Sequence, residues 1–339
     1  MRRIPSQADI AAAANVSTAT VSRVVNNSSL VSEGLRERVL AEMERLGYYP
    51  HGAARALAYN RSWTIGAVVP TLDSDLFARG IDALMKRLRE KDYSLMVVSS
   101  DYSLEDEAHL VRRLLERGVD GLFLVGQERL PDTAKLLERS GRPYVESYIS
   151  DCNDRSGFIG FSNYRVSTLA VDHLYRIGHR QIGMLAAITH HNDRAFYRVK
   201  GFRARVRELG LELNEHWVRE IIYDIDVARR AFGDLLDSQN YPTAMLCGND
   251  LIAMGVLIEA QARGFPIPDC MSVVGIDDHP MSRHTNPPLT TIAIPAKEIG
   301  TLAADALIES IEQGKSIGRY EMDAPLVVRG TTASPEVHV

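Results

Sequence analysis

Four basic side chains crowd one short stretch: His190, His191, Arg194 and Arg198 fall within nine positions where a strand gives way to a helix. Imidazole and guanidinium groups gathered at such a connection suit an anionic ligand, a sugar acid or sugar phosphate, through charge-assisted and bidentate hydrogen bonds. The plainer reading of the same residues is a solvated loop. Metal chemistry is not predicted. The run H-H-N-D over 190–193 lacks the i, i+4 spacing of a helical metal motif and has no evident distant ligand. Gly314-Lys315-Ser316 ends like a phosphate loop, but the position that needs the first glycine holds Glu309. No G-x-S-x-G elbow and no G-x-G-x-x-G fingerprint occurs, so no catalytic residue and no cofactor is expected.

A second group of residues lies near the N-terminus. Ser6 and Asp9 have the spacing of a capping box, and Ile10, Ala13 and Ala14 follow, which predicts a short helix. Asn15 suits the turn after it. Ser17 then caps a second helix with Val21, Val24 and Val25 inward and Thr18, Ala19, Ser22, Arg23 and Asn26 outward. Small and polar residues in a first turn let a helix approach base edges closely. A third helix follows Ser32, with Leu35, Val39, Met43 and Leu46 on its inner face, and ends at Gly47. This is a helix-turn-helix; helical pattern alone leaves a purely structural cap domain open.

The elements that must carry these residues fit a chain of 339 residues, long enough for two or three domains. With 45% hydrophobic and 24% charged residues it reads as an ordinary globular protein. No apolar run is long enough for a membrane span, and MRRIPSQADI lacks the apolar core of a secretory signal, so a cytoplasmic location is expected. Cys152, Cys247 and Cys270 show no C-x-x-C spacing and read as small apolar residues. Charge is uneven: residues 1–62 hold eight Arg and no Lys against five acids, a net of +3, while the rest carries −8. A basic head before an acidic body points to a polyanion partner for the head.

From Trp63 onward, apolar runs alternate with amphipathic stretches: T-I-G-A-V-V-P, Y-S-L-M-V-V-S-S, G-L-F-L-V-G and P-Y-V-E-S-Y-I, then Q-I-G-M-L-A-A, T-A-M-L-C-G and S-V-V-G-I-D-D. Such alternation predicts parallel sheets covered by helices, here in two similar lobes with a seam near 161. The late strand T-T-I-A-I-P is expected to cross back to the first lobe. A ligand would lie in the cleft at the carboxyl ends of the strands.

The stretch from Asp9 to Asn26, D-I-A-A-A-A-N-V-S-T-A-T-V-S-R-V-V-N, with the later V-S, L-G-Y-Y-P and A-R-A-L-A, closely resembles the DNA-binding head of the LacI family of bacterial transcription regulators. The resemblance implies that Thr18 and Ala19 open the recognition helix, that Arg23 reads a guanine edge, and that Ser17, Thr20, Ser22, Asn26 and Ser32 hold bases or phosphates. It also implies that Pro50 to Ser62, too poor in apolar residues to fold alone, becomes a hinge helix in the minor groove, with Ala54 beside a wedging Leu57. His51 departs from the family's usual Asn after the proline.

The rest of the chain resembles the family's effector domain, which shares its fold with periplasmic sugar-binding proteins. The resemblance places Arg198, Asn249 and Asp277 on the effector's hydroxyls, Phe161 or Phe77 against an apolar ring face, and Tyr148 and Arg194 nearby. The segment around Glu146 looks like that of gluconate-type regulators. Taken singly, each of these residues reads as a helix cap or an ion pair; together they favour a pocket. The expected organisation is an all-α helix-turn-helix head over 1–50, a linker over 51–62 and a two-lobed α/β effector and dimerisation domain over 63–339. Lobe 1 is expected over about 63–161 and 291–320, and lobe 2 over about 162–290 and 321–332. The partners implied are double-stranded operator DNA, a small sugar-like effector and a second copy of the chain; seven residues after Thr332 are too few for a tetramerising heptad tail. The rival reading is a small-ligand binding protein with no DNA role.

Overall fold

A computed structural model describes residues 5–25, 30–49, 61–151 and 157–335. Asn26, His51, Ala54, Leu57 and Cys152 lie outside the described residues. The chain divides into two compact units, Met1–Ser62 and Trp63–Val339, each with its own core.

In the first unit, helix α1 (Gln7–Ala13) starts at a closed capping box: the Asp9 N–H donates to the Ser6 hydroxyl, and the Asp9 carboxylate accepts from the Ser6 N–H at 2.8 Å. Asn15 turns the chain at φ 52°, a left-handed conformation that Asn tolerates. Helix α2 (Thr18–Val25) follows, its first turn held by the Thr20 N–H donating to the Ser17 hydroxyl at 3.1 Å. Helix α3 (Glu33–Leu46) ends at Gly47 in the left-handed region. Ser32 stands at its N-cap position with an extended backbone, but its hydroxyl makes no capping bond. Ile10, Ala14, Val21, Val24, Val39, Met43 and Tyr48 form the core, each larger apolar side chain contributing about 1.5–3 kcal/mol by burial.

In the second unit, two six-stranded sheets are built from strand-helix repeats. The first repeats are β1 (Thr64–Val69), α4 (Asp75–Arg89), β2 (Ser94–Ser99), α5 (Leu104–Glu116), β3 (Gly121–Val125), α6 (Pro131–Ser140), β4 (Tyr144–Ser147) and β5 (Phe158–Gly160). The second set is α7 (Asn163–Arg176), β6 (Ile182–Ala187), α8 (Asp193–Glu208), β7 (Val218–Ile221), α9 (Ile225–Asp237), β8 (Ala244–Cys247), α10 (Asp250–Ala262) and β9 (Ser272–Ile276). The chain closes with β10 (Thr290–Ile292), α11 (Ala296–Gln313), β11 (Arg319–Glu321) and β12 (Leu326–Val327). The first sheet runs β11-β5-β4-β3-β1-β2, all parallel; the second runs β12-β10-β9-β8-β6-β7, parallel except for β10 against β12. Central strands such as β3 and β6 are buried along their whole length, as parallel strands covered on both faces must be.

The late strand departs from expectation. Thr290–Ile292 pairs with β9, Thr290 opposite Val274, and so belongs to the second lobe. The chain crosses only after Ile292; α11 then packs on α4 in the first lobe, so close that a Cβ on Gly300 would strike the Gly80 carbonyl. β11 extends the first sheet, and the return to the second lobe follows Glu321. The lobes are therefore joined at three crossings, near 161–162, 293–295 and 322–325.

Candidate functional site

On the first unit, α2 turns Val21 and Val24 into the core and leaves Thr18, Ala19 and Arg23 exposed. Ser22 is half-buried beside them, Ser17 and Thr20 share a hydroxyl-hydroxyl bond of 2.9 Å, and Ser32 is exposed at the start of α3. A short helix with small residues in its first turn and an arginine on its outer face has the shape and donors to enter a major groove.

On the second unit, a cleft of about 740 Å³ lies between the lobes, lined by residues that follow the ends of β1, β2, β4, β5, β6, β7, β8 and β9. Phe77, Tyr148, Phe161, Arg194, Arg198, Asn249 and Asp277 all line it. The geometry is held from behind. Arg198 Nε donates to Asn163 Oδ1 at 2.9 Å, Arg198 Nη1 to the Gly248 carbonyl at 2.6 Å, and Asn163 Nδ2 to the Tyr148 carbonyl at 3.0 Å. The third guanidinium nitrogen stands 3.9 Å from Asp277 Oδ1, an oxygen that is buried and, among the described residues, accepts no hydrogen bond. Burial pushes the Asp277 carboxyl up to about 7, against the pull of Arg198. An oriented guanidinium beside an unsatisfied carboxylate is a ready acceptor-donor pair for adjacent hydroxyls.

Asn249 caps α10 with its Oδ1, which accepts from the Ile252 N–H at 2.9 Å; its NH₂ group remains for the cleft. Asp250 serves the wall: it accepts from the His279 N–H, the Ser282 hydroxyl and the Thr291 hydroxyl. Tyr148 is fully buried, edge-on to Phe77 with ring centres 5.3 Å apart, and its hydroxyl donates to the Leu76 carbonyl at 3.4 Å. Its bulk occupies cleft volume that a smaller side chain would leave to ligand.

Asp193 and Arg79 are among the residues that join the lobes beside the cleft. Asp193, at the start of α8, accepts from the N–H groups of Gln127 and Glu128 across the seam at 2.6 and 2.9 Å, and pairs with Arg194 at 2.8 Å. Gly126, at φ 80°, abuts the Arg194 guanidinium so closely that a Cβ there would collide with it. Arg79, paired with Asp75, donates to the Asp277 carbonyl at 3.0 Å.

The basic cluster that suggested an anionic ligand is divided by the fold. His191 pairs with Glu128 on a separate cavity, whereas His190 borders both that cavity and the cleft. Arg194 is matched by Asp193 and Arg198 faces Asp277, while Asp73, Asp75 and Asp101 also line the cleft. Glu146 lies on the separate cavity, paired with the buried Arg129. Sequence reasoning missed Asp101, Tyr102 and Tyr223, which stand just past β2 and β7; their position beyond parallel strand ends was the available signal. Among the described residues no group of three or more His, Cys, Asp or Glu could hold a metal ion, and no helix is long and apolar enough to cross a membrane.

The chain is 31% identical to the HTH-type transcriptional repressor PurR of Vibrio campbellii (strain ATCC BAA-1116) over 327 residues, 95% of this chain and 97% of that one. Residues 8–51 match the model of the bacterial regulatory proteins, lacI family. The chain belongs to the LacI family. Residues 171–332 of this LacI-family protein match a periplasmic binding protein-like domain. The lac repressor dimer bound to operator and the anti-inducer ONPF superposes with a TM-score of 0.87 at 29% identity, covering 98% of this chain and 100% of that one. The transcriptional regulator CelR in complex with cellobiose matches with a TM-score of 0.71 at 26% identity, covering 97% and 100%. This LacI-family protein thus combines a helix-turn-helix head with two parallel-sheet α/β lobes.

Proposed function

We propose that this protein is a ligand-responsive transcriptional repressor. It binds a palindromic operator as a homodimer, two copies of α2 entering successive major grooves, and a sugar-like effector in the interlobe cleft sets its affinity for DNA. The observation that carries the reading is the conjunction, in one chain, of an outward Arg23 on a helix-turn-helix and a cleft where Arg198, Asn249 and Asp277 converge. The likeness to a lac repressor dimer on its operator supports the DNA half, and the likeness to a cellobiose complex supports a hydroxyl-rich ligand. One head makes too few base contacts for specificity, and a two-fold protein matches a two-fold site.

Coupling follows from the bridges at the seam. A ligand seated between the lobes changes the balance of the Asp193 and Arg79 contacts, hence the angle between the lobes. Selection of operator from a random DNA pool at stated salt tests the reading. A palindromic consensus, whose preference at one base pair per half-site is lost in Arg23→Ala, is the expected result; no enriched sequence, with or without added metabolites, overturns it.

A further inference from the structure

Asp73, Asp75, Asp101, Asp250 and Asp277 line the cleft beside the guanidinium groups of Arg194 and Arg198 and the imidazoles of His190 and His279. Arg194 is paired with Asp193 at 2.8 Å, and Arg198 stands 3.9 Å from Asp277. Asp73 and Asp101 are different. Both are exposed at the cleft, and among the described residues neither carboxylate has a hydrogen-bond or ion-pair partner. Next to Asp101 stands Tyr102, which faces Tyr223 of the other lobe with ring centres 6.0 Å apart and planes inclined by 31°. The backbone is strained to place them: Asp101 and Tyr102 both take left-handed conformations, φ 49° and 60°, which neither residue type adopts cheaply in succession. Deeper in, Asp277 Oδ1 is buried without a hydrogen-bond donor among the described residues. Free carboxylates beside aromatic faces are the chemistry that holds an ammonium group, by ion pairing and by attraction to the ring quadrupole.

We propose that the effector is a polyhydroxyl molecule that also carries a positive charge, an amino sugar or related amine-bearing polyol, with its ammonium group between Asp73, Asp101 and the Tyr102–Tyr223 pair. The proposal rests on the reading of the cleft as the effector site. The hydroxyls meet Arg198, Asn249 and Asp277; the amine meets the carboxylates of Asp73 and Asp101, unpartnered among the described residues. A sugar acid or sugar phosphate would instead bring its charge up to uncompensated carboxylates.

Calorimetric titration of the full-length protein with matched sets of sugars tests this: glucose, glucosamine and gluconate, the galactose counterparts, and a β-linked disaccharide with and without a free amine. The expected result is at least tenfold tighter binding of an amine-bearing member than of its hydroxyl partner. That advantage should shrink in 0.5 M NaCl, roughly a fivefold rise over 0.1 M, and vanish in Asp73→Asn/Asp101→Asn, a change confined to exposed positions. Equal or tighter binding of the neutral or acidic members, an advantage that survives in the double variant, or no binding by any amine-bearing member overturns the charge assignment. Asp277→Asn separates the two levels: undiminished binding of every sugar in that variant means that the cleft itself has been misread.

Discussion

In the proposed function, the head and the cleft solve recognition in opposite ways. Thr18, Ala19 and Arg23 project from a small helical unit whose core lies on the other side of α2, and their removal leaves that core intact. Arg198, Asp277 and Tyr148 are themselves buried, and Arg198 ties α8 to Asn163 and to the Gly248 carbonyl. Specificity on the head is thus separable from stability, whereas in the cleft the two are the same interactions seen from different sides.

The largest loss is expected from Arg198→Ala, which leaves Asp277 in a buried site without its facing charge. Denaturant unfolding of the body should show a loss of about 3 kcal/mol; a loss under 1 kcal/mol would mean that the cleft is as separable as the head. Next in size is a pH effect. The Asp277 carboxyl ionises near 4 in the unfolded chain but near 7 in the fold, so the folded state binds the extra proton and stability declines as pH rises between those values. Asp277→Asn does not titrate there. Its stability relative to the wild type should therefore improve by about 2 kcal/mol between pH 5 and pH 8, as thermal or chemical unfolding at the two pH values will show.

His179 sharpens the contrast within the body, away from the cleft. Burial holds its ring down to about 4, and it is bonded to Thr243, Ser272 and the Ala333 carbonyl. It is neutral in the fold, so its contribution is present above pH 6.5 and lost as pH falls towards 4, about 2 kcal/mol after allowance for screening. His179→Asn should flatten that limb of the profile. Asp193→Ala removes two backbone N–H partners and the charge facing Arg194; a cost of about 1.5 kcal/mol and weaker ligand binding are expected by unfolding and calorimetry. Smallest is Arg23→Ala, which should change stability by less than about 0.5 kcal/mol while costing roughly 1–3 kcal/mol of discrimination at one base pair, measured on matched and mismatched operators.

Local physics made much of this molecule legible in its sequence. The Ser6–Asp9 capping box, the left-handed Asn15 and the fully apolar β3 and β6 each follow from residues near one another in the chain. Long-range choices were harder to read. Nothing in the residues of Thr290–Ile292 themselves assigns the strand to a lobe, and only its pairing with β9 decides its sheet. The basic run at 190–198 suggested an anion because its members are neighbours in sequence; the turn into α8 sends His191 to another cavity, and the carboxylate facing Arg198 arrives from residue 277. Tyr102 and Tyr223 meet only because two strand ends from different lobes face each other.

In the proposed function, occupancy of the cleft controls the affinity of the head for operator. The direct measurement is operator affinity of the full-length wild type and of Asp277→Asn, with and without saturating cleft ligand, by fluorescence anisotropy at fixed salt. The expected coupling is about 1–3 kcal/mol, a 5- to 150-fold change in wild-type affinity, with the variant binding unliganded operator normally and losing most of the change. Ligand binding that leaves operator affinity unchanged in the wild type would contradict the account.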